Sequence, residues 1–149
     1  MTNRILVATD GSEKAKKVVE YGADLASKYG ATLYLVHAEH QSKLQRDMGG
    51  FMESEHLSEK PQIVYVAQTG ERIINEAKSE AWGRGAKRTE SAILIGDPAR
   101  EISRFVEEKN IDIIVIGRNG VRNAKELYSR KVTDKIARDA DSTCITVNL

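Results

Sequence analysis

Short apolar runs alternate with longer amphipathic stretches along this 149-residue chain. Two of the apolar runs, residues 5–8 and residues 113–116, end in turn-forming segments at residues 9–12 and 117–120. Continuous apolar runs of this length are typical of parallel strands that are buried on both faces. Ligands in open α/β sheets bind just beyond the carboxyl ends of the strands, so these two turns are the first candidates for a functional site.

The rest of the pattern predicts a regular alternation of strands and helices. Strands are predicted at residues 4–8, 31–38, 91–95, 111–116 and 143–147. Apolar positions at helical spacing predict helices after Ser12, from Gln62, from Pro98, and around Ile136. Strands joined by helical crossovers imply right-handed units and a sheet that helices cover on both faces.

Residues with strong end preferences mark several helix boundaries. Ser12 is suited to accept an early N–H as an N-cap, and Gly30 is suited to end the first helix in the left-handed conformation. Asp97 and Pro98 fit the N-cap and the first residue of a later helix.

Two stretches are harder to assign. Residues 63–66 belong to a helical pattern but also fit a short strand. The polar stretch between Glu39 and Lys60 has no sustained period, so a long mobile loop is predicted there.

Length and composition bound the class of protein. The chain fits one domain, residues 1–149, and its 23 basic and 22 acidic residues create no global field for nucleic acid or a membrane surface. The single cysteine, Cys144, excludes an internal disulfide and fits a reducing compartment. No leader-like segment precedes the first strand and no apolar run approaches about 18 residues, so a cytoplasmic protein is expected.

Motifs at the strand ends carry a family likeness. They lie at residues 7–12, 35–38, 96–99, 112–117, 132–137 and 144–147. In this order and spacing they resemble the universal stress protein family over almost the whole chain. The resemblance implies a Rossmann-like α/β fold similar to adenine nucleotide alpha hydrolases, with a single open five-stranded parallel sheet of order 3-2-1-4-5 and helices on both faces. It also implies a homodimer that pairs through the last strand, which begins at Thr143 and ends at Val147.

The resemblance implies a nucleotide site as well, because some members of this family bind ATP and others do not. The binders carry the pattern Gly-x2-Gly-x9-Gly-Ser/Thr. Gly117 and Gly120 match its first half, whereas Arg130 and Lys131 stand where the later Gly and the hydroxyl residue are expected. AMP or ATP would lie between the first and fourth strands, and the candidate binding residues are Ala8, Thr9, Asp10, Ala38, Ile116, Gly117, Arg118, Asn119, Gly120, Arg130, Lys131, Val132 and Thr133.

Asp10 and the two glycines each admit two interpretations. The Asp10 carboxylate can accept hydrogen bonds from a nucleotide's hydroxyl or amino groups, or it can bond nearby backbone N–H groups as a turn residue. Gly117 and Gly120 can let the backbone approach a phosphate, or they can only form a turn.

Arg130 and Lys131 also have opposite possible effects. Their long side chains can obstruct the close backbone approach that the small residues would allow. Alternatively, together with Arg118, Arg122 and Lys125, they form a basic cluster that binds phosphate through side chains. Obstruction is the favoured interpretation, so altered or lost triphosphate binding is expected.

Other chemistry-bearing residues suggest no further site. His37, His40 and His56 lack a cysteine or carboxylate set at tetrahedral spacing, so no metal site is predicted, and His37 is expected at the edge of the core. Cys144 has no basic partner nearby and is expected to be inert, and Trp82 is expected to be a packing anchor.

The sequence therefore predicts a regulatory, stress-response protein with a crevice for an adenine nucleotide. An ATP-hydrolysing enzyme is disfavoured, because the chain has neither a Gly-x4-Gly-Lys-Ser/Thr phosphate loop nor an evident carboxylate pair for Mg²⁺. The alternative is a dimeric interaction module of the same family that keeps the pocket empty and binds an unknown protein partner.

Overall fold

The computed structural model describes residues 2–39, 61–118, 130–139 and 141–149. Within these ranges, strands and helices alternate along the chain. The elements are β1 Arg4–Ala8, α1 Ala15–Tyr29, β2 Thr32–Glu39, α2 Pro61–Gly83, β3 Thr89–Ile95, α3 Pro98–Glu108, β4 Ile113–Arg118, α4 Arg130–Asp139 and β5 Thr143–Asn148.

The five strands form one parallel sheet with the order β3-β2-β1-β4-β5. β1 lies at its centre, and Val7 is paired with Leu35 of β2 on one side and with Val115 of β4 on the other. This confirms the predicted fold class and strand order. The order reverses between β1 and β4, because the chain runs outward from β1 to β3 on one side and from β4 to β5 on the other.

Helices cover both faces of the sheet, and each face has its own core cluster. Odd-numbered residues of β1 and β2, such as Val7 and Leu35, pack against α1 and α2. Even-numbered residues, such as Leu6 and Val36, pack against α3 and α4. Successive side chains of a strand point to opposite faces, so the continuous apolar runs serve both clusters at once.

Local signals in the sequence mark several of the element ends. Gly30 ends α1 with φ +63°, and Asp97 accepts the Arg100 N–H at 3.1 Å as the N-cap of α3. The Ser12 hydroxyl accepts the Ala15 N–H at 3.2 Å, although the regular helix begins only at Ala15.

Several predicted boundaries are corrected by the structure. Residues 63–66 lie within α2, so the strand alternative is wrong there. β3 begins two residues earlier than predicted, at Thr89, and β4 begins at Ile113.

Trp82 is 65% exposed and is not a packing anchor; its Nε1 donates to Thr89 Oγ1 at 3.1 Å. The loop predicted between Glu39 and Lys60 lies outside the described residues after Glu39, which ends β2.

Gly22 marks the closest approach between α1 and β1. A Cβ atom built on Gly22 would overlap Val7 Cγ2 well inside van der Waals contact. Both residues belong to or adjoin the fully buried cluster beneath α1, where the neighbours have little room to move. The absence of a side chain at Gly22 therefore sets how closely the first helix packs on the central strand.

We predict that Gly22→Ala lowers the free energy of unfolding, measured by urea denaturation. Overpacking costs about 1–3 kcal/mol, and the gain of about 1 kcal/mol in helix propensity offsets only part of it. Gly83→Ala is the matched control, because Gly83 is also helical and its added Cβ meets nothing within 4 Å. In a Val7→Ala background the cost of Gly22→Ala should shrink, and an unchanged cost would disprove the contact.

A candidate ligand crevice at the carboxyl ends of β1 and β4

The reversal of strand order brings residues from both sides of the switch point into one crevice. Ala8 ends β1, Asp10 lies in the turn that follows, and Gly117 is near the end of β4. One small cavity is lined by all three together with Ser12, Ala15, Val18 and Leu149. The structure thus brings Ala8, Asp10 and Gly117 together, as the sequence predicts for the two strand ends.

The turn between β1 and α1 is held by short local hydrogen bonds. The Asp10 Oδ1 atom accepts the Ser12 N–H at 2.9 Å, and the Thr9 hydroxyl oxygen accepts the Gly11 N–H at 3.2 Å. Gly11 has φ +80°, and a Cβ there would lie 2.7 Å from Ile73 Cγ1 of α2. Glycine at this position therefore allows both the backbone conformation and the close packing of the turn against α2.

Asp10 makes the turn contact of one of its two interpretations. A carboxylate has about four lone-pair positions on two oxygens, so the bond to Ser12 leaves acceptor capacity for a second partner. The Asp10 side chain is partly buried and lines the crevice. The turn role and a ligand role are therefore compatible, and the ligand role stays a prediction.

Leu149, which follows β5, fills the space beside Gly117. A Cβ on Gly117 would lie 2.7 Å from Leu149 Cδ1 and 3.0 Å from Val18 Cγ2. The remaining cavity is about 10 Å³, which is scarcely the volume of one water probe. On this side, Leu149 therefore occupies the space beside Gly117. Leu149 was not predicted from the sequence, because no local pattern shows that a residue beyond β5 packs on the end of β4.

The other predicted binding residues either do not line this crevice or have side chains outside the described part of the chain. Ala38 and Ile116 are completely buried in the cluster beneath α3 and α4. Thr9 lines a different cavity, of about 40 Å³, between the β1–α1 turn and the helices α1 and α2. Asn119 and Gly120 lie outside the described residues, as do the side chains of Arg118, Arg130, Lys131, Val132 and Thr133, whose backbones end β4 or begin α4.

His37 is buried below the turn rather than placed at the edge of the core. Its side chain is among the least exposed polar groups described, with 2% of the residue accessible. Nδ1 lies 2.9 Å from the Thr9 carbonyl oxygen, and Nε2 lies 2.8 Å from Glu39 Oε2. The sequence motif contained His37, but only the structure shows that its ring reaches from β2 to the end of β1.

A wider cavity at the opposite end of the sheet is unsuited to phosphate. It measures about 420 Å³ and lies at the amino ends of β4 and β5. Its lining includes four carboxylates, those of Glu107, Asp112, Asp139 and Asp141. Like charges repel a phosphate, so this cavity is a poor site for a nucleotide.

Among the described residues, little supports a metal site or a reactive thiol. No group of three or more His, Cys, Asp or Glu residues is placed there to hold a metal ion. Cys144 is half-buried in β5, and burial raises the pKa of its thiol. A raised pKa lowers the thiolate fraction at neutral pH, which agrees with the expectation of an inert cysteine.

Comparison with known proteins identifies the family. The family model described as "Universal stress protein family" matches residues 1–148. The chain belongs to the universal stress protein family. Its relatives include the universal stress protein YxiE of Bacillus subtilis, which is 30% identical over 146 residues, covering 97% of this chain and 96% of YxiE.

Solved universal stress protein structures share the fold at low sequence identity. One, a universal stress protein in complex with cAMP, has a TM-score of 0.72 and 20% identity, and the match covers 99% of this chain and 97% of the other. Another, from Archaeoglobus fulgidus in complex with dAMP, has a TM-score of 0.68 and 22% identity, with 97% and 96% covered. At these identities the likeness supports the fold. None of the helices in the described ranges of this universal stress protein is long and apolar enough to cross a membrane.

We predict that Gly117→Ala destabilises this universal stress protein through Leu149. The added methyl group needs the space of Leu149 Cδ1, and such overpacking costs about 1–3 kcal/mol. Urea denaturation of Gly117→Ala, Leu149→Ala and the double variant measures the coupling. The double variant should lose less free energy of unfolding than the sum of the single variants. Strict additivity would show that the two residues are not in contact.

Proposed function

We propose that this universal stress protein is a cytoplasmic regulatory protein that binds an adenine nucleotide, AMP or ATP, in the crevice between β1 and β4. The observation that carries the proposal is the meeting of the Asp10 carboxylate and Gly117 in one crevice at the switch point. Family members with this fold have been solved in complex with cAMP and with dAMP, which supports an adenylate as the ligand class.

The crevice offers different chemistry on its two sides. Asp10 supplies acceptors for ribose hydroxyls or the adenine amino group, while Ala8, Ala15 and Val18 supply apolar surface for the base or sugar. A phosphate directly beside Asp10 would be repelled. Any phosphates extend instead toward the segment after β4, where the sequence holds the cations Arg118, Arg122, Lys125, Arg130 and Lys131, and the long side chains of Arg130 and Lys131 are expected to disfavour a triphosphate.

Entry of the ligand requires a rearrangement of Leu149. The crevice is partly open, but its volume of about 10 Å³ does not accommodate a sugar ring while Leu149 lies beside Gly117. Leu149 is only partly buried, and its side chain packs against the cluster beneath α1, so its outward rotation also uncovers part of that cluster. The binding-competent state is thus a state in which Leu149 has left Gly117, and the cost of that movement lowers the apparent affinity.

We predict that Asp10→Ala weakens AMP binding, measured by calorimetric titration. Loss of a charge-assisted hydrogen bond costs about 1.5–3 kcal/mol, or roughly ten- to a hundredfold in Kd. Asp97→Ala is the matched control, because Asp97 also accepts a backbone N–H at a strand end but lies at the N-cap of α3, outside the residues that line the crevice. Leu149→Ala should bind AMP at least as tightly as the wild type.

The outcomes separate the two candidate functions. Wild-type affinity in Asp10→Ala would remove Asp10 from the site. Absence of AMP and ATP binding in both the wild type and Leu149→Ala would overturn the proposal and favour the interaction module. Thermal unfolding in the presence of AMP or ATP distinguishes the two functions independently. A ligand that binds only the folded state raises the unfolding midpoint, whereas an interaction module with an empty pocket shows no shift.

Pairing of two copies through β5 is the second part of the proposal. β5 is bonded to β4 on one side and is the last strand in the sheet order, so its other edge has no partner strand within the described sheet. Such an edge is a template for pairing with an identical strand, and isologous two-fold contact is the commonest closed solution.

The backbone of β5 shows which residues face that edge. The Thr143 N–H donates to the Asp112 carbonyl at 3.2 Å, so Thr143 faces β4. N–H and C=O groups alternate in direction along a strand, so the backbone groups of Thr146 point to the outer edge. The side chain of Ile145 packs against the cluster beneath α1, so a charge there would disturb folding as well as association.

We predict that Thr146→Pro converts a dimer into a monomer while leaving the β4 ladder intact. Proline removes one outward N–H, and edge positions tolerate it. Analytical ultracentrifugation measures the mass, with Thr146→Val as the control that keeps the N–H. A dimer that persists in Thr146→Pro at the same dissociation constant would place the interface elsewhere.

A further inference from the structure

A buried polar bridge links the end of β2 to the turn that carries Asp10. Its members are the His37 ring, the Glu39 carboxylate and the Thr9 carbonyl, and the three residues are 2%, 6% and 3% exposed. His37 contacts the other two, with Thr9 at 2.9 Å and Glu39 at 2.8 Å. Buried polar groups are costly unless they are paired, so this arrangement is strongly determined by its surroundings.

The partners define where hydrogens must be. The Thr9 carbonyl oxygen can only accept, so Nδ1 of His37 carries a hydrogen and donates it. Two bare acceptors would repel each other at 2.8 Å, so a further proton lies between Nε2 and the Glu39 carboxylate. The contact with Glu39 therefore holds the ring in the orientation that aims Nδ1 at Thr9.

The bonded carbonyl is in the peptide group that begins Asp10. The Thr9 N–H donates to the Val36 carbonyl at 2.9 Å, and β1 has already ended at Ala8. Beyond this bond the chain leaves the sheet, and the Thr9 carbonyl and the Asp10 N–H share one planar peptide unit. A hydrogen bond to that carbonyl fixes the plane from which the Asp10 side chain departs.

We propose that His37 is a positioning residue for Asp10. Through its bond to the Thr9 carbonyl it fixes the Thr9–Asp10 peptide and hence the direction of the Asp10 carboxylate in the crevice. The positioning role concerns the protein alone, and its consequence for ligand affinity rests on the proposed function. Rigidly oriented binding groups lose less freedom when a ligand binds, so loss of the bond weakens binding.

Two conservative variants separate the two hydrogen bonds of His37. In His37→Asn the amide nitrogen takes the place of Nδ1 and can still donate to Thr9, but the contact with Glu39 is lost. In His37→Gln the amide nitrogen takes the place of Nε2 and can still reach Glu39, but the bond to Thr9 is lost. Both variants lack the buried imidazole ring and are therefore expected to be less stable than the wild type. Their thermal midpoints are measured in parallel to check that the two variants are destabilised to a similar extent.

The first readout requires no ligand. The ¹H–¹⁵N resonance of Asp10 reports directly on a hydrogen bond to the preceding carbonyl. It should move in His37→Gln, with faster amide exchange at Gly11 and Ser12, and stay close to the wild-type position in His37→Asn. Equal displacement in both variants, or none in either, would overturn the positioning role.

The second readout is AMP affinity by calorimetry. We expect His37→Gln to weaken binding about tenfold, because it loses the hydrogen bond that orients the Thr9–Asp10 peptide. We expect His37→Asn to weaken binding by less than about threefold, because it keeps that bond. Equal affinity in the two variants would disprove the consequence for binding. If wild-type protein fails to bind AMP, the proposed function fails, and the Asp10 resonance still decides whether His37 positions the turn.

Discussion

The double pairing of β1 is the constraint on which the rest of this structure depends. β1 is hydrogen-bonded to β2 and β4, and its residues Ile5, Leu6 and Val7 are completely buried between the helix layers. A strand held on four sides cannot shift by one residue without moving every side chain to the wrong face. The point at which the chain leaves the sheet, at Thr9, is therefore determined by the core and not by the turn itself.

Several contacts together determine the geometry of the turn between β1 and α1. Gly11 adopts a positive φ and packs under Ile73, Asp10 bonds the Ser12 N–H, and His37 bonds the Thr9 carbonyl. These contacts come from β2, α2 and the turn's own residues. A carboxylate supported in this way is preorganised, so it loses little conformational freedom when a ligand binds to it.

The helices and strands that could be predicted from the sequence are those marked by a periodic apolar pattern or by a residue at their own ends. The alternation of apolar runs and helical stripes, together with Gly30 and Asp97 at helix ends, was sufficient for the element order. The strand order and the family came from the series of strand-end motifs, and the family match over residues 1–148 confirms them. The predicted start of β3 and the predicted burial of Trp82 were wrong, because both depend on neighbouring elements rather than on nearby residues.

The candidate site was predictable only in part, for the same reason. Asp10 follows β1 and Gly117 lies near the end of β4, and both could be placed at the switch point from the fold alone. The Gly117–Leu149 contact and the Thr9–His37 bond could not, since they join residues that are 32 and 28 positions apart in the chain. Contacts of this kind are set by the register of the sheet, which a single sequence does not reveal.

Gly117 has a packing role in the structure and, in the proposed function, a binding role in a second state. In the structure its missing side chain makes room for Leu149, and Val18 Cγ2 also lies close by. In the proposed binding state, with Leu149 rotated outward, the same missing side chain would expose backbone to a ligand. If the proposed function holds, the free energy that Leu149 gains against Gly117 is subtracted from the affinity for the nucleotide. Substitutions at residue 149 would thus tune binding without altering the residues that touch the ligand.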